Sequence, residues 1–411
     1  MNQKHRKQPR SSRNEADNSS QTDKLPPDAL IATNADLIRV VNEFRGKPFL
    51  AIDTEFMRER TYYPQLCLIQ VGDGTKAVAI DPLAANIDLE PLWSLMRDES
   101  IIKVFHAGNQ DMEIFLNEMG GLPSPVYDTQ IAGLVCGYGD QIGYDSLVKS
   151  ILGKNVDKTS RFTDWSKRPL TDRQISYALD DVIYLAQIYP IMLDKIAKEN
   201  RTNWLDDEFA KFCDPATYIT KPEDAWKRIK IRHLKAPALM RLMRLAEWRE
   251  LESQTRNIPR NRVVRDETLI DLAGTAPKTI EAFSKIRNFP GGTDGKFVRP
   301  VMKIIQDVAA MPDSELPDAP LRSKPVKPPQ AVMELLRVLL KYATDQHNIA
   351  PRLIASSDDL ELLATDDNAP IKALKGWRRD VFGATALKLK SGKIGLAVEN
   401  GKIKLIELDE N

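Results

Sequence analysis

Residues 49–56 read FLAIDTEF: a continuous apolar run that ends in two carboxylates, Asp53 and Glu55, two positions apart. In an extended chain successive side chains alternate faces, so these two acids point the same way. Like charges side by side at the mouth of a buried strand repel, and the arrangement calls for a compensating cation. Outward from this point the pattern stays one of short apolar runs broken by turn residues. FLAI is followed by LCLIQV (66–71), by the turn GDG (72–74) and by AVAI (77–80). This predicts three strands, the last two a hairpin across Gly72–Gly74.

Downstream the pattern alternates. LEPLWSLM (89–96) reads as a helix and IIKVF (101–105) as a buried strand. A helix follows over about 109–119 and stops at Gly120–Gly121. PVYDTQIAGLV gives a short strand and a helix. Thr171 and Gln174 stand in capping-box spacing and open a helix expected to run to Pro190. A meander followed by alternating helices and strands predicts a mixed sheet flanked by helices. Beyond residue 217 strand signals vanish, and DAWKRIKIRHL, PALMRLMRLAEWRELESQTRN, DETLIDLAG and TIEAFSKI read as helices. Residues 312–329 are a proline-rich linker; after them come AVMELLRVLLKYATDQHN, SSDDLELLATD and IKALKGWRRDVFG, and a closing hairpin around Asn400–Gly401. The two helical blocks follow one order, in which a long helix leads to a basic proline-containing stretch and an acidic pair opens the next helix. They read as a divergent repeat.

The chain has 411 residues, 42% hydrophobic and 28% charged, as in soluble globular proteins. No apolar run is long enough to span a bilayer. The polar, basic segment 1–27 lacks an apolar core, which excludes a secretory signal and predicts a disordered tail. Cys67, Cys136 and Cys213 lie far apart without metal-like spacing, so a reducing cytoplasm is expected. The net charge of +1 hides an asymmetry: residues 28–216 carry 19 Lys and Arg against 29 Asp and Glu, and residues 217–311 carry 19 against 11. The basic block is a candidate surface for a polyanion, and the acidic one a candidate holder of cations.

Two further motifs carry acids. In HAGNQDMEIF (106–115), Asp111 falls in the first turn of a predicted helix, where it would also complement the helix dipole. In YALDDVIYL (177–185), Tyr177 and Asp181 are four apart and share a helix face beside the apolar stripe Ile175, Leu179, Val182 and Ala186. Each signal alone is ordinary: a solvated turn pair, a helix-terminal acid, a tyrosine at a core edge. Together, D-x-E at a strand end, a helical Asp and then Y-x-x-x-D resemble the DEDD superfamily of 3′-to-5′ exonucleases, in the subclass with Tyr in the last motif. The runs FLAIDTEFMRERTYYPQLCLIQ, FHAGNQDMEIF, YDTQIAG and DWSKRPLTDRQISYALDDVIYL resemble the ribonuclease D family.

That resemblance implies an α/β ribonuclease H-like exonuclease domain at 28–216. It further implies an all-α helicase-and-RNase-D C-terminal (HRDC) domain at 217–311 and a second HRDC-like unit with the hairpin at 330–411. It implies two divalent ions, Mg²⁺ or Mn²⁺, bridged by Asp53. Glu55 and Asp181 would complete the ion beside the attacking water, and Asp111 would hold the second through water. Tyr177 would orient or help deprotonate the nucleophilic water. His106 and Asp128 read as structural. Trp165, Lys167 and Arg168 are candidates for stacking and phosphate contacts at a 3′ nucleotide. In the basic block Lys230, Arg241 and Arg244 are candidate phosphate contacts, beside Lys227, Arg228, Arg232 and Lys235. The expectation is therefore a monomeric 3′-to-5′ exoribonuclease releasing nucleoside 5′-monophosphates, its partner RNA, with tRNA precursors implied. Two readings compete with it: a DNA exonuclease with the same carboxylates, and a nucleic-acid-binding module whose nuclease site has decayed.

Overall fold

The computed structural model describes residues 25–26, 28–157, 163–231, 234–289, 295–317 and 328–408. All of the expected tail except residues 25–26, most of the proline-rich linker and Arg232 lie outside these residues. Six strands form one mixed sheet in the order β1-β4-β3-β2-β5-β6: β1 (Leu30–Ile31), β2 (Phe49–Met57), β3 (Gln65–Gly72), β4 (Ala77–Ile80), β5 (Ile102–Phe105) and β6 (Val126–Asp128). β2, β3 and β4 are the predicted antiparallel meander, while β5 and β6 add in parallel. Period-two alternation splits β2 between two cores. Leu50 and Ile52 face α1 (Asn34–Phe44), α2 (Glu90–Met96) and α3 (Asn109–Met119), while Ala51 faces the other side of the sheet. Beyond α4 (Thr129–Gly133) and α5 (Tyr144–Leu152) comes α6 (Asp172–Lys198), which covers that second face with Ala178, Leu179, Val182 and Ala186.

The capping box of Thr171 and Gln174 is present at the start of α6. The helix does not stop at Pro190, however, but runs through it to Lys198. Pro190 sits on the exposed side, and Met192 and Ile196 continue the buried stripe beyond it, so tertiary packing outweighs the one missing hydrogen bond.

After α7 (Asp206–Phe212) the basic block opens with a 3₁₀ turn, Pro222–Arg228, where a longer helix was expected. Only Ala225 and Ile229 bury there, one turn's worth of anchors. Then follow α8 (Ala236–Arg256), α9 (Arg260–Val263), α10 (Asp266–Thr275), α11 (Ile280–Phe283) and α12 (Val298–Ala309), around a core of their own that includes Leu242, Leu245, Leu269 and Phe283. The last block, α13 (Gln330–His347), α14 (Pro351–Ile354), α15 (Ser357–Thr365) and helical turns up to Lys390, does not keep a separate core. Its Leu336, Leu339 and Ile354 merge with Leu134, Val135, Ile188 and Met192 of the exonuclease region. The closing hairpin pairs β7 (Ile394–Glu399) with β8 (Lys402–Glu407); Asn400 and Gly401 both take the positive φ that its tight turn requires.

Candidate active site

Strand β2 and helix α6 deliver most of the site. Asp53 and Glu55 project from β2 toward α6, and Tyr177 and Asp181 sit one turn apart on α6 against them. One carboxylate oxygen each from Asp53, Glu55 and Asp181 lies within 4.8 Å of the others. A pocket of about 270 Å³ opens over this group, bordered by Tyr177, His106, Tyr144 and Leu185. Asp111 arrives from the first turn of α3 on the opposite layer. It is buried and accepts a hydrogen bond from the Thr54 hydroxyl, and Thr54 is the residue between Asp53 and Glu55. β2 does not end at these acids, as the sequence suggested, but runs on to Met57, and its second half fixes three of the four acids.

The electrostatics are those of crowded anions. Burial first, then Asp181, Asp111 and Glu55, hold the Asp53 carboxyl well above its ordinary range. Burial, with Asp181 and Asp111, pushes Glu55 up to about 9. Burial and then Asp180 raise Asp181 to about 7; burial, opposed by the Thr54 hydroxyl, raises Asp111 to about 6. Acids so placed either take protons or take cations. The set is all hard oxygen ligands at mutual distances one cation can span, and it fits Mg²⁺ or Mn²⁺.

The sequence candidates do not all end up at this pocket. Trp165 is buried, its ring centroid 6.1 Å from that of Tyr177, so it backs the tyrosine. Lys167 is exposed beside Asp164 at 3.7 Å. All five N–H groups of Arg168 are spent, on Asp81 and on the carbonyls of Cys67, Trp165 and Lys167, so the expected phosphate contact finds no free donor there. Arg241 donates to the Ala273 carbonyl at 2.7 Å, and Arg244 pairs with Glu247 at 3.1 Å. Neither lines the pocket over the acids, nor does exposed Lys230. His106 borders the pocket, its ring nitrogens meeting the Thr129 hydroxyl and the Ile142 carbonyl. Asp128 accepts from the amides of Gly108, Gln130 and Ile131. Sequence reasoning missed Thr54, and it missed Tyr144, which donates to the Asp181 carbonyl and lines the pocket. Thr54 was legible as the middle of D-T-E; Tyr144 carried no motif.

Comparison with known proteins agrees with this geometry. Residues 29–197 match the family model described as 3′-5′ exonuclease, and residues 238–305 match the HRDC domain. Ribonuclease D of Granulibacter bethesdensis is 44% identical over 93% of this chain and 98% of its own length; that of Acidiphilium cryptum is 42% identical with the same coverage. The crystal structure of Escherichia coli RNase D, described as an exoribonuclease involved in structured RNA processing, superposes with a TM-score of 0.76. It is 31% identical and covers 88% of this chain and 98% of that one. The catalytic core of RRP6 from Trypanosoma brucei shares the fold, with a TM-score of 0.53 at 18% identity. With its acids gathered around β2 and its relatives matched over nearly their full length, the chain belongs to the ribonuclease D family of metal-dependent 3′-to-5′ exoribonucleases.

Proposed function

We propose that this chain trims RNA 3′ ends by two-metal-ion hydrolysis, releasing nucleoside 5′-monophosphates, with tRNA precursors as substrates. The observation that carries the reading is the trio Asp53, Glu55 and Asp181, close enough to share a cation, with Asp111 tied to the same strand. Bound divalent ions would supply the positive charge that offsets the phosphodiester and activates water. Asp53, Glu55 and Asp181 would hold the ion beside the attacking water, with Asp53 as the candidate shared ligand, and Asp111 would serve a second ion. Tyr177 borders the same pocket, where its hydroxyl positions that water and can take part in its deprotonation. The structured-RNA role described for the Escherichia coli relative supports tRNA precursors as the class. The basic block captures RNA through phosphates, and 330–408 is a second, diverged HRDC-like unit. The chain works as a monomer; its three cysteines are unpaired, which favours the cytoplasm.

The test is time-resolved digestion of a 3′-extended tRNA and of a matched DNA strand, with and without chelator. Stepwise, chelator-sensitive loss of 5′-mononucleotides from the RNA is expected, and a preference for DNA would select the competing reading. Asp53→Asn should abolish single-turnover cleavage with an unchanged circular dichroism spectrum. Substantial residual cleavage would remove Asp53 from the bridging role.

A further inference from the structure

Gln70 lies at the centre of β3, fully buried, and neither its amide nitrogen nor its amide oxygen has a hydrogen-bond partner. A primary amide offers two donors and an acceptor, and leaving such groups buried and unpaired costs stability. Folds rarely keep one without a use. Its position supplies the use. In the β2–β3 ladder Gln70 stands directly opposite Asp53, so the two side chains leave the same face of the sheet side by side. The layer above is α6. Gly72, two residues on, is so close to Val182 that a β-carbon there would lie 3.3 Å from Cγ2, while Leu68, two residues before, packs with Ala178 and Leu179. Gln70 therefore sits beneath the turn of α6 that carries Tyr177 and Asp181. Ala51, Leu68, Gly72 and Ala79 around it have no side-chain acceptor, and of the acids on this face Asp53 stands directly opposite Gln70, with Glu55 diagonal to it.

We propose that Gln70 is a positioning residue for the metal site: with divalent ions bound, its amide N–H, unpaired in this structure, would donate to the Asp53 carboxylate and hold it in place as a ligand. An apolar side chain would fill the space between β3 and α6 as well; the amide adds a donor aimed at a ligand. Outer hydrogen bonds to metal ligands of this kind typically change metal affinity or activity by 10- to 100-fold.

This inference rests on the metal-site reading above, and the experiment separates the two. Thermal unfolding is followed against Mg²⁺ concentration, without substrate, for the wild type, Asp53→Asn and Gln70→Met. The wild type should be stabilised by Mg²⁺ and Asp53→Asn should not; a wild type that does not respond overturns the metal-site reading and this inference with it. Gln70→Met should unfold no earlier than the wild type without metal, because the orphaned amide is gone. Its half-saturating Mg²⁺ concentration should rise about tenfold. A midpoint equal to that of the wild type overturns the role of Gln70 and leaves the metal site standing. Should Gln70→Met fail to fold, a Mg²⁺-loaded crystal structure of the wild type decides. An amide nitrogen within hydrogen-bond distance of Asp53 supports the inference, and an amide bonded only to other groups overturns it.

Discussion

Helices α8 and α13 each end in an asparagine in the left-handed region, Asn257 at φ 47 and Asn348 at φ 50, each followed by an isoleucine. In both, the asparagine and isoleucine amides return to the last turn, to Gln254 and Ser253 in one block and to Asp345 and Thr344 in the other. The four-residue helices α9 and α14 follow, then α10 and α15, which bury Leu269, Leu272 and Ala273 or Leu360, Leu363 and Ala364 at matching positions. Docking is where they part. The first block meets the exonuclease region through polar groups: Asn257 Oδ1 accepts from the amides of Tyr62 and Tyr63 at 3.0 Å, and Tyr62 donates to Glu250, which is clasped by Arg260. In the second block the positions matching Arg249 and Arg260 are Leu340 and Pro351, and the contact is chiefly apolar core, with Arg378 and Lys372 paired to Asp207 and Glu208 at its edge. Trp204 stacks on Trp377 at 4.1 Å, and the Ala350 amide donates to the Leu134 carbonyl. One scaffold thus serves two ends. The second block completes the catalytic domain's core, whereas the first is joined at the loop that follows Asp53 and Glu55.

Matched core deletions give the largest test of that contrast. Leu245 and Leu336 are both fully buried at equivalent positions of α8 and α13. Either change to Ala should cost about 3 kcal/mol where it acts. Leu336→Ala should lower the unfolding of the whole exonuclease region, while Leu245→Ala should open the first block alone. Hydrogen exchange on the exonuclease strands reads the difference. Equal loss of strand protection in both variants would erase the distinction. It also follows that a chain ending at Asp214 cannot isolate the catalytic domain cleanly, since it uncovers Leu134, Val135, Ile188 and Met192.

A smaller effect is expected from the polar joint. The Glu250 side chain is 0% exposed and that of Arg260 31%. Arg260→Met leaves a buried carboxylate without its cation, and with water reaching part of the site the expected cost is about 2 kcal/mol, below the range for fully buried pairs. The loss should fall on the first block's transition in calorimetry, and cleavage of a short single strand should be kept. A drop in that cleavage rate would show that the joint also orders β2.

This joint is also where the sequence fell silent. The clustered acids were legible because their spacing was: D-x-E puts both carboxylates on one strand face and Y-x-x-x-D both side chains on one helix face, although β2 runs past both acids to Met57 rather than ending at them. The sheet was legible from FLAI, LCLIQV and AVAI, whose burial follows from composition. Docking was not, since Tyr62 and Glu250 are 188 positions apart and no local pattern couples them. Nor could the sequence show that Arg168 is consumed by Asp81, or that α6 tolerates Pro190 on its outer side.

The two regions should also differ in their response to pH. Glu55, Asp111 and Asp181 titrate in the fold near 9, 6 and 7, above the usual carboxylate range near 4. Raised folded-state values mean that the native protein holds protons the unfolded chain has released, so metal-free stability falls as pH rises from about 4 to 9. The exonuclease transition should therefore move down between pH 5.5 and 8.5 in chelator, and Mg²⁺ should restore most of the loss at the upper end. Among the described residues the first block contributes no such cluster, and its transition should stay nearly still. A parallel shift of both transitions would place the titrating groups elsewhere.

The smallest expected effect concerns RNA capture. In the first block several cations are already committed: Arg241 to a carbonyl, Arg244 to Glu247, Lys227 to Asp224 and Arg249 to Asp266. Lys221, Arg228 and Lys230 are exposed and carry no ion pair among the described residues. The first two line a cleft of about 520 Å³ that also holds Arg58, Tyr62 and Tyr63, on the exonuclease side of the joint. Phosphate contacts from such side chains release counterions, and each one lost flattens the slope of log K against log salt by roughly 0.7 for a single strand. Lys221→Gln with Arg228→Gln should thus reduce the slope by about 1.4 while cleavage at saturating short RNA is kept. The control comes from the other block. Arg337 and Lys341 are exposed on α13 but paired with Glu334 and Asp345, on a helix whose task is the core. Changing both to Gln removes the same formal charge and should leave the slope where it was. If the two double variants flatten it equally, net charge draws the RNA in and the first block holds no privileged surface. If only the first pair does, capture belongs to the cleft beside the polar joint.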